Sequence, residues 1–452
     1  MEELKKKLLG SVTITPEIIG DIEKSVKNIS DFGKKITGYA TENTTNLLDI
    51  ILFGAIHLEA SDIHIEPQNE DVRLRIRIDG ILQDTVFFDQ TTYHHLISRL
   101  KLLSKLKLNV TDKPQDGRFS IVVGTMLIEI RTSSLPAEYG ESIVMRILNP
   151  NNLSLKSLDI RKDLYDIFLK EIKKPNGIII VTGPTSSGKT TTLYAFLMEI
   201  QKPEIKIVTI EDPIEYHLKG VSQTQVSHGA SHFNSTTGEM VTEKGYDFSD
   251  GLRSIVRQNP DVILVGEIRD LETAKISLQA SLTGHLVLST LHTNDAPGTI
   301  PRLIDLGIEP YSIAPALKMA IGQRLVRRVC KKCSSLVAPS ADELSEIKKG
   351  LKNLSKTVVI PRDFDTIKIV KENEQGCEYC NHTGYKGRKG LYEVFLVDPE
   401  MERVILKNPP VSEIKELAIK KGMTTIYQSG LIEIVSGITT FKELSRVVER
   451  DE

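Results

Sequence analysis

The sequence predicts an α/β protein organised around a doubly wound parallel sheet, and three observations favour this class. Short apolar runs alternate with helical stretches between residues 155 and 325, as is typical of parallel strands that are buried on both faces. A glycine-rich loop directly follows the first run. Two later runs end in acidic residues, and ligands of open α/β sheets bind at such strand ends. The four runs are Ile178–Thr182, Ile205–Ile210, Val262–Val265 and Leu286–Thr290.

The length of 452 residues exceeds what one hydrophobic core usually organises, so we expect several domains. A short helical leader precedes a mixed domain with helical patterns at residues 47–58 and 95–108. Strand patterns in that domain cover residues 71–78, 119–130 and 142–148. The expected divisions are 1–45 for the leader, 46–150 for the mixed domain, 151–325 for the parallel sheet, 326–395 for a cysteine-containing region and 396–452 for a helical tail.

The composition favours a globular protein of the cytoplasm. Hydrophobic residues make up 40% and charged residues 26%, which is ordinary for a soluble domain. The net charge of -2 and the absence of tryptophan argue against a dedicated nucleic-acid binder, so we expect no direct nucleic-acid contact. The first ten residues lack the apolar core of a signal peptide, and no apolar run is long enough to span a membrane.

The glycine-rich loop has the pattern of a phosphate-binding loop. It follows the strand Ile178–Thr182 and opens a helical stretch, which is the context that this motif requires. Backbone N–H groups of such a loop surround the phosphates of ATP, Lys189 reaches the β- and γ-phosphates, and the Thr190 hydroxyl ligates Mg²⁺. The candidate nucleotide-binding residues here are Gly183, Pro184, Thr185, Ser186, Ser187, Gly188, Lys189, Thr190 and Thr191.

Hydrolysis also needs carboxylates near the metal and the attacking water, and two strand ends supply them. Glu211, Asp212 and Glu215 follow one run, and Glu267 follows another. Glu211 and Glu267 are the candidate catalytic acids, whereas Glu215 can equally be a loop acid. His292 ends a third run, where it is either structural or a γ-phosphate sensor that positions water.

Four cysteines form two Cys-x-x-Cys pairs, Cys330 with Cys333 and Cys377 with Cys380. In a reducing compartment this duplicated spacing indicates metal rather than disulfides. Four thiolates complete a tetrahedral zinc site with no open position for chemistry, so we expect one structural Zn²⁺ per chain.

Taken together, the motifs resemble the secretion ATPase superfamily. The stretches that carry the resemblance are GPTSSGKT (183–190), TIEDPIEY (209–216), LRSIVRQNPDVILVGEIRD (252–270) and TGHLVLSTLHTNDA (283–296), with ASDIHIEP (60–67), RIRIDG (75–80), PQDGR (114–118) and RTSSLPAEYGESIVMRIL (131–148) upstream. The cysteine pairs are similar to those of type II secretion and type IV pilus assembly ATPases. The polar stretch His228 to Val241 is longer than the corresponding loop of the family, as expected of a surface insertion.

The resemblance implies a RecA-like ATPase domain preceded by a PAS-like α+β domain, with a small zinc-binding insertion and a helical tail. It further implies a homo-hexameric motor at the cytoplasmic face of the inner membrane, which associates with the membrane through partners such as an inner-membrane platform protein. ATP hydrolysis would then power pilus or pseudopilus assembly. By this resemblance Arg131 and Arg146 approach the phosphates, Asp212 and Glu215 join Glu211 and Glu267 in metal and water roles, and Glu267 is the first choice for the general base.

Two other functions remain compatible with the same core. Basic clusters at Lys101–Lys107 and Arg324–Lys332 suit a translocase that acts directly on nucleic acid, although neither contains interleaved aromatic residues. A nucleotide-gated adaptor that binds ATP and hardly hydrolyses it is the third candidate. The acids and His292 argue against it.

Overall fold

The computed structural model describes residues 11–39, 44–149, 153–227, 229, 231–233, 240–242, 245–355, 357–360, 363–364 and 366–450. Parts of three predicted features therefore lie outside the described residues: the ends of the leader, the domain boundary near residue 150 and much of the polar stretch 228–241. Within the described residues, no helix has both the length and the apolar character needed to cross a bilayer.

The chain divides into two compact units. The N-terminal unit comprises Met1–Asn151 together with two short segments from later in the chain, Cys330–Ser334 and Glu372–Gly387. The C-terminal unit comprises Asn152–Val329, Ser335–Lys371 and Arg388–Glu452. All four cysteines belong to the N-terminal unit, although they are distant from its other residues in sequence.

The N-terminal unit contains a seven-stranded sheet in the order β1-β5-β6-β7-β2-β3-β4, in which β1 and β5 are parallel and the other pairs are antiparallel. Its elements are β1 (Ser11–Thr13), α1 (Pro16–Ser25), α2 (Ile29–Tyr39), α3 (Thr44–His57), β2 (Asp62–Pro67), β3 (Val72–Ile78), β4 (Ile81–Phe88), α4 (Gln90–Leu103), β5 (Gln115–Val123), β6 (Met126–Ala137) and β7 (Gly140–Leu148).

Strict alternation explains why this sheet buries one face. Val72, Leu74 and Ile76 of β3 are fully buried, while the arginines between them are partly exposed. The predicted leader contributes to the same core, because Phe32 of α2 packs among the apolar side chains of the sheet and of α3. The core thus joins the leader and the mixed domain.

Two predicted elements differ from the observed ones. The strand pattern at 119–130 is two antiparallel strands, β5 and β6, because Gly124 turns the chain with a φ of 58°. The helix predicted over residues 95–108 begins five residues earlier, at Gln90, and ends at Leu103, where Ser104 is the C-cap. The side chain of Asp89 accepts a hydrogen bond from the N–H of Thr92 and so caps that helix.

The C-terminal unit contains a second seven-stranded sheet, in the order β10-β9-β13-β14-β8-β15-β18. The first six strands run parallel, which confirms the predicted parallel sheet. The elements before β15 are α5 (Lys162–Glu171), β8 (Gly177–Thr182), α6 (Lys189–Ile200), β9 (Ile207–Glu211), β10 (Ser222–Gln225), β11 (Ser231–Phe233), β12 (Met240–Thr242), α7 (Phe248–Val256), β13 (Val262–Val265), α8 (Leu271–Leu282), β14 (Leu286–Leu291), α9 (Thr299–Asp305) and α10 (Pro310–Ala316).

The remaining elements of the chain include the helical tail, and the 3₁₀ turn among them belongs to the N-terminal unit. They are β15 (Leu317–Val329), β16 (Ser335–Val337), α11 (Ala341–Gly350), β17 (Ile369–Lys371), a 3₁₀ turn at Glu378–Cys380, β18 (Tyr385–Leu396), α12 (Pro399–Ile405), α13 (Val411–Lys420), α14 (Ile426–Val435) and α15 (Phe441–Val447). Helices α12 and α13 pack on one face of the parallel sheet, whereas α14 and α15 form a cluster with α11.

The interior strand β8 is buried along its whole length. Ile178 and Ile180 point into one core and Ile179 and Val181 into the other, so both faces of the sheet are covered. Each of these side chains contributes roughly 1.5–3 kcal/mol when fully buried. This burial fixes the position of Thr182, from which the glycine-rich loop departs.

Candidate nucleotide site

Four parallel strands place the predicted site residues at one edge of the sheet. The register aligns β8 with β14, β14 with β13 and β13 with β9. Their carboxyl ends carry the glycine-rich loop, His292, Glu267 and Glu211, respectively. Ligands of open α/β sheets bind at this edge.

The glycine-rich loop needs glycine at both of its ends. Gly183 has a φ of 147° and Gly188 a φ of 89°, both in the region that side chains disfavour. A Cβ on Gly183 would also lie 2.4 Å from the carbonyl oxygen of Gln323. The loop therefore ends with Gly188 as the N-cap of α6, and the N-terminus of this helix faces the loop.

Lys189, the first residue of α6, folds back over the loop. Its Nζ donates to the carbonyl oxygens of Gly183 at 2.8 Å and Pro184 at 2.9 Å. Burial lowers the pKa of Lys189 to about 8, an effect that the charge of Arg324 reinforces and that of Glu267 opposes. A phosphate at the loop would supply the negative charge that this buried ammonium lacks.

The residues of the loop fit a nucleotide with its magnesium ion. The hydroxyl of Ser187 is buried and has no hydrogen-bond partner among the described residues, so it is available to a ligand. Thr190 and Thr191 lie partly exposed in the first turn of α6, where hydroxyl groups can reach a metal or a phosphate. Thr185 and Ser186 are exposed on the loop itself.

The structure brings together two of the predicted site residues, Glu267 and His292. Nε2 of His292 lies 3.3 Å from Oε2 of Glu267. The other carboxylate oxygen lies 2.5 Å from the guanidinium of Arg269. The Glu267 side chain is 13% exposed, so it reaches the edge of the site without being solvated on all sides.

Glu211 is placed differently from Glu267. It is buried, and its carboxylate accepts hydrogen bonds from the hydroxyls of Tyr194 and Thr209 and from the amide of Gln223. Burial raises the pKa of Glu211, and these hydrogen bonds oppose the rise. The carboxylate thus anchors α6 to the end of β9.

The acids that follow Glu211 are partly exposed. The N–H of Glu215 donates to the hydroxyl of Tyr194 at 3.3 Å, which places this turn beside the same anchor. The hydrogen bond and the charge of Glu267 raise the pKa of Arg269, and the negative charge of Asp212 adds to this rise. Asp212 and Glu267 therefore both interact electrostatically with Arg269.

Arg131 and Arg146 belong to the N-terminal unit. They lie directly opposite each other on β6 and β7, so their side chains share one face of the sheet. Nε of Arg146 lies 3.0 Å from Oδ1 of Asp62, and about half of the Arg146 side chain is exposed.

Gln323 and Arg324 were not among the predicted nucleotide-site residues, and Arg324 was predicted only as part of the basic cluster Arg324–Lys332. In β15, Gly322 pairs with Thr182, so the next two residues continue beside the glycine-rich loop. Gln323 accepts a hydrogen bond from Thr192 at 2.9 Å, and Arg324 donates to the carbonyl oxygen of Asn294 at 2.6 Å. Burial lowers the pKa of Arg324. Both residues directly follow the apolar first half of β15, and this position is the signal from which they could have been predicted.

The four cysteines converge on a point that can hold a metal. Their sulfur atoms all lie within 4.8 Å of one another, and three of the pairs are 3.7–3.9 Å apart. Tetrahedral zinc with Zn–S bonds of about 2.3 Å requires sulfur atoms about 3.8 Å apart, so the arrangement fits Zn²⁺.

Hydrogen bonds that involve Asn381 and Gly387 help to attach this cysteine cluster to the rest of the N-terminal unit. The N–H of Ile29 donates to the side chain of Asn381 at 2.8 Å, and the N–H of Gly387 donates to Asp79 at 2.7 Å. Asn381 directly follows Cys380, so a metal that fixes the cysteines also fixes the first of these contacts.

Comparisons with known proteins agree with the motifs. Residues 40–446 match the family model described as type II/IV secretion system protein. The chain is 42% identical over 407 residues to type II secretion system protein E of Aeromonas hydrophila, covering 90% of this chain and 75% of that protein. It is 37% identical over 438 residues to the type IV pilus assembly ATPase PilB of Myxococcus xanthus, covering 95% of this chain and 72% of PilB.

The fold is also similar to that of a solved structure. The ATPase DotB of Legionella pneumophila matches with a TM-score of 0.63 and 21% identity, covering 90% of this chain and 96% of that one. At this identity the likeness concerns the fold.

Proposed function

The chain belongs to the type II/IV secretion system protein family, and from this premise we propose that it is an ATP-hydrolysing motor that powers pilus or pseudopilus assembly. The observation that carries the proposal is the arrangement at the sheet edge. Lys189 at the phosphate loop lies within electrostatic reach of Glu267, and Glu267 contacts His292. One edge of the sheet thus carries a loop for the phosphate, a carboxylate that can act as the base and a histidine that can orient the water.

In this mechanism the loop and the N-terminus of α6 bind the β- and γ-phosphates, and Lys189 turns from the loop carbonyls to the phosphate oxygens. Mg²⁺, held by Thr190 with acids of the two strand ends, would neutralise phosphate charge. Glu267 accepts the proton of the attacking water, while His292 orients that water. The oxygen–phosphorus bond to the leaving ADP breaks as the new one forms.

We propose for the finer architecture what the resemblance to the family implies. The C-terminal unit is RecA-like, the N-terminal unit is PAS-like, and six chains form a ring. Arg131 and Arg146 supply positive charge to the phosphates, a role that suits guanidinium groups because they stay charged and bind oxygens in pairs. The motor works at the cytoplasmic face of the inner membrane, where a platform protein of the secretion or pilus system holds it.

Two features make a nucleic-acid translocase the weaker alternative. Lys101 of the first basic cluster is buried against Glu141, at 2.7 Å. In the second cluster, Arg327 pairs with Glu443 and Arg328 with Asp159. These cations are neutralised within the chain and are poorly placed for a phosphate backbone.

Phosphate release from ATP by the purified chain tests the proposal. We expect hydrolysis that requires Mg²⁺ and that double- or single-stranded DNA does not stimulate. Stimulation by DNA that weakens steeply as salt is raised would favour the translocase instead. Nucleotide binding with no release of phosphate would favour the adaptor.

We further propose that Cys330, Cys333, Cys377 and Cys380 bind one structural Zn²⁺. Metal analysis of the reduced chain should give one equivalent of zinc. Cys377→Ser should lose the metal and lower the thermal unfolding midpoint of the N-terminal unit, because the contact through Asn381 is no longer fixed. Ser335→Ala, an exposed change close in sequence to Cys333, is the control. Full zinc content in Cys377→Ser would contradict the four-thiolate site.

A further inference from the structure

Glu393 is a buried carboxylate that none of the roles above includes. It lies on β18 and is 2% exposed. Both of its oxygens accept hydrogen bonds from backbone amides: Oε1 from Ala296 at 2.8 Å and Oε2 from Ile426 at 3.1 Å. One side chain therefore connects two segments that are far apart in sequence.

The first of these segments is the loop 292–298, which starts at His292 and joins β14 to α9. Several backbone contacts anchor it, among them the following. The N–H of Thr293 donates to the Thr182 hydroxyl at 2.8 Å, the carbonyl of Asn294 accepts from Arg324, and the N–H of Ala296 donates to Glu393. Glu393 is thus one of the groups that determine where His292 lies.

The second segment is the N-terminus of α14. Ile426 is the first residue of this helix, and the N–H groups of a first turn have no partner within the helix. A carboxylate at this position satisfies such a donor and interacts favourably with the helix dipole. Displacement of the loop 292–298 would therefore act on α14 through a single side chain.

We propose that Glu393, in its ionised form, is a positioning residue for ATP hydrolysis that holds the loop 292–298 in place and couples it to α14. This inference rests on the proposed function, since His292 acts on water only if phosphate is cleaved at the glycine-rich loop. Glu393 itself touches no reacting atom.

The ionised form is required because both partners are donors. Protonation would turn one oxygen of Glu393 into an O–H group facing an amide N–H, which weakens one of the two contacts. Burial raises the pKa of Glu393 to about 7, and the charge of Asp295 adds to the rise; the amides of Ala296 and Ile426 and the charge of Lys415 oppose it. Arg324 is a further charged group that interacts with this carboxylate. One of the contacts that Glu393 makes to the loop and to α14 is therefore weakened as the pH falls below about 7.

Glu393→Gln in the full chain tests the inference, because its amide replaces one acceptor by a donor at nearly equal volume. We expect kcat to fall about tenfold at pH 8 with little change in KM, as one buried hydrogen bond is lost. The wild-type kcat should decline as the pH falls through about 7, and this decline should be absent from the variant. A decline that persists in Glu393→Gln would belong to another group and overturn the inference.

Two further variants separate the possible outcomes. Glu433→Gln, which changes another buried carboxylate, on α14 and 3.7 Å from Nζ of Lys389, should keep the wild-type pH profile. Glu393→Asp keeps the charge and should recover the dependence on pH, which decides the matter if Glu393→Gln does not fold.

Comparison with His292→Ala distinguishes failure of the positioning role of Glu393 from failure of the proposed ATP hydrolysis. If the wild type hydrolyses ATP and His292→Ala slows it while Glu393→Gln matches the wild type, the positioning role is wrong. If the wild type hydrolyses no ATP, the proposed function fails instead.

Discussion

Lys189→Ala is expected to abolish measurable ATP hydrolysis while leaving the C-terminal unit folded. In the absence of phosphate the Lys189 ammonium donates hydrogen bonds to two loop carbonyls. Burial disfavours its charged form and lowers its pKa. Its removal therefore costs little stability. Catalysis loses the one cation of the loop that reaches the transferred phosphate, for which a decrease of about 10²–10³-fold is a lower bound.

Phosphate release and equilibrium unfolding measure the two halves of this expectation. Lys202→Ala, which removes an exposed lysine just after α6, should retain wild-type turnover and serves as the matched control. Normal turnover in Lys189→Ala would refute the assignment of the loop. An unfolded variant would instead show that the lysine has a structural role that the hydrogen bonds do not indicate.

The lowered pKa of Lys189 gives this variant an independent signature. The unfolded chain titrates this lysine near 10.5 and the folded chain near 8, so between these values the unfolded state binds more protons. The free energy of unfolding contributed by this group therefore rises with pH between about 8 and 10.5. This rise in the free energy of unfolding should be absent from Lys189→Ala. Urea unfolding of both proteins at pH 8 and pH 10 measures the difference.

Much of the nucleotide site could be predicted because strand ends are visible in a sequence. Apolar runs identify buried strands, and the residues after Thr182, Val265 and Leu291 must then lie at one edge of a parallel sheet. The sequence of neither segment predicts that Glu267 pairs with His292 or how far apart the two side chains lie. That pairing needs only that β13 and β14 be neighbours, a property of the sheet order.

Residues that act through long-range contacts could not be found in this way. Glu393 lies within a buried strand, and its partners Ala296 and Ile426 are set by the tertiary fold. Glu211 was predicted from its strand end, but the sequence does not reveal that Tyr194 of α6 covers its carboxylate. Local sequence patterns indicate at which edge of the sheet a residue lies. Its burial and its hydrogen-bond partners depend on the elements that pack against it.

The two predicted carboxylates can be separated because the structure gives them different surroundings. Glu267→Gln should reduce kcat by about 10²–10⁴-fold, the usual contribution of a general base, with little effect on ATP binding. Its carboxylate lies at the edge of the site with Arg269 and His292, so an amide of the same shape preserves packing and removes the proton acceptor.

Glu211→Gln is the informative comparison for this prediction. The carboxylate of Glu211 accepts hydrogen bonds from Tyr194, Thr209 and Gln223, and an amide can accept at one end only. We expect about 1–3 kcal/mol of lost stability from the mismatched donors, measured by urea unfolding. Turnover in Glu211→Gln should then fall as the anchor of α6 loosens. If instead Glu267→Gln hydrolyses ATP normally while Glu211→Gln is folded and inactive, the general base is Glu211, and Glu267 serves to hold Arg269 and His292.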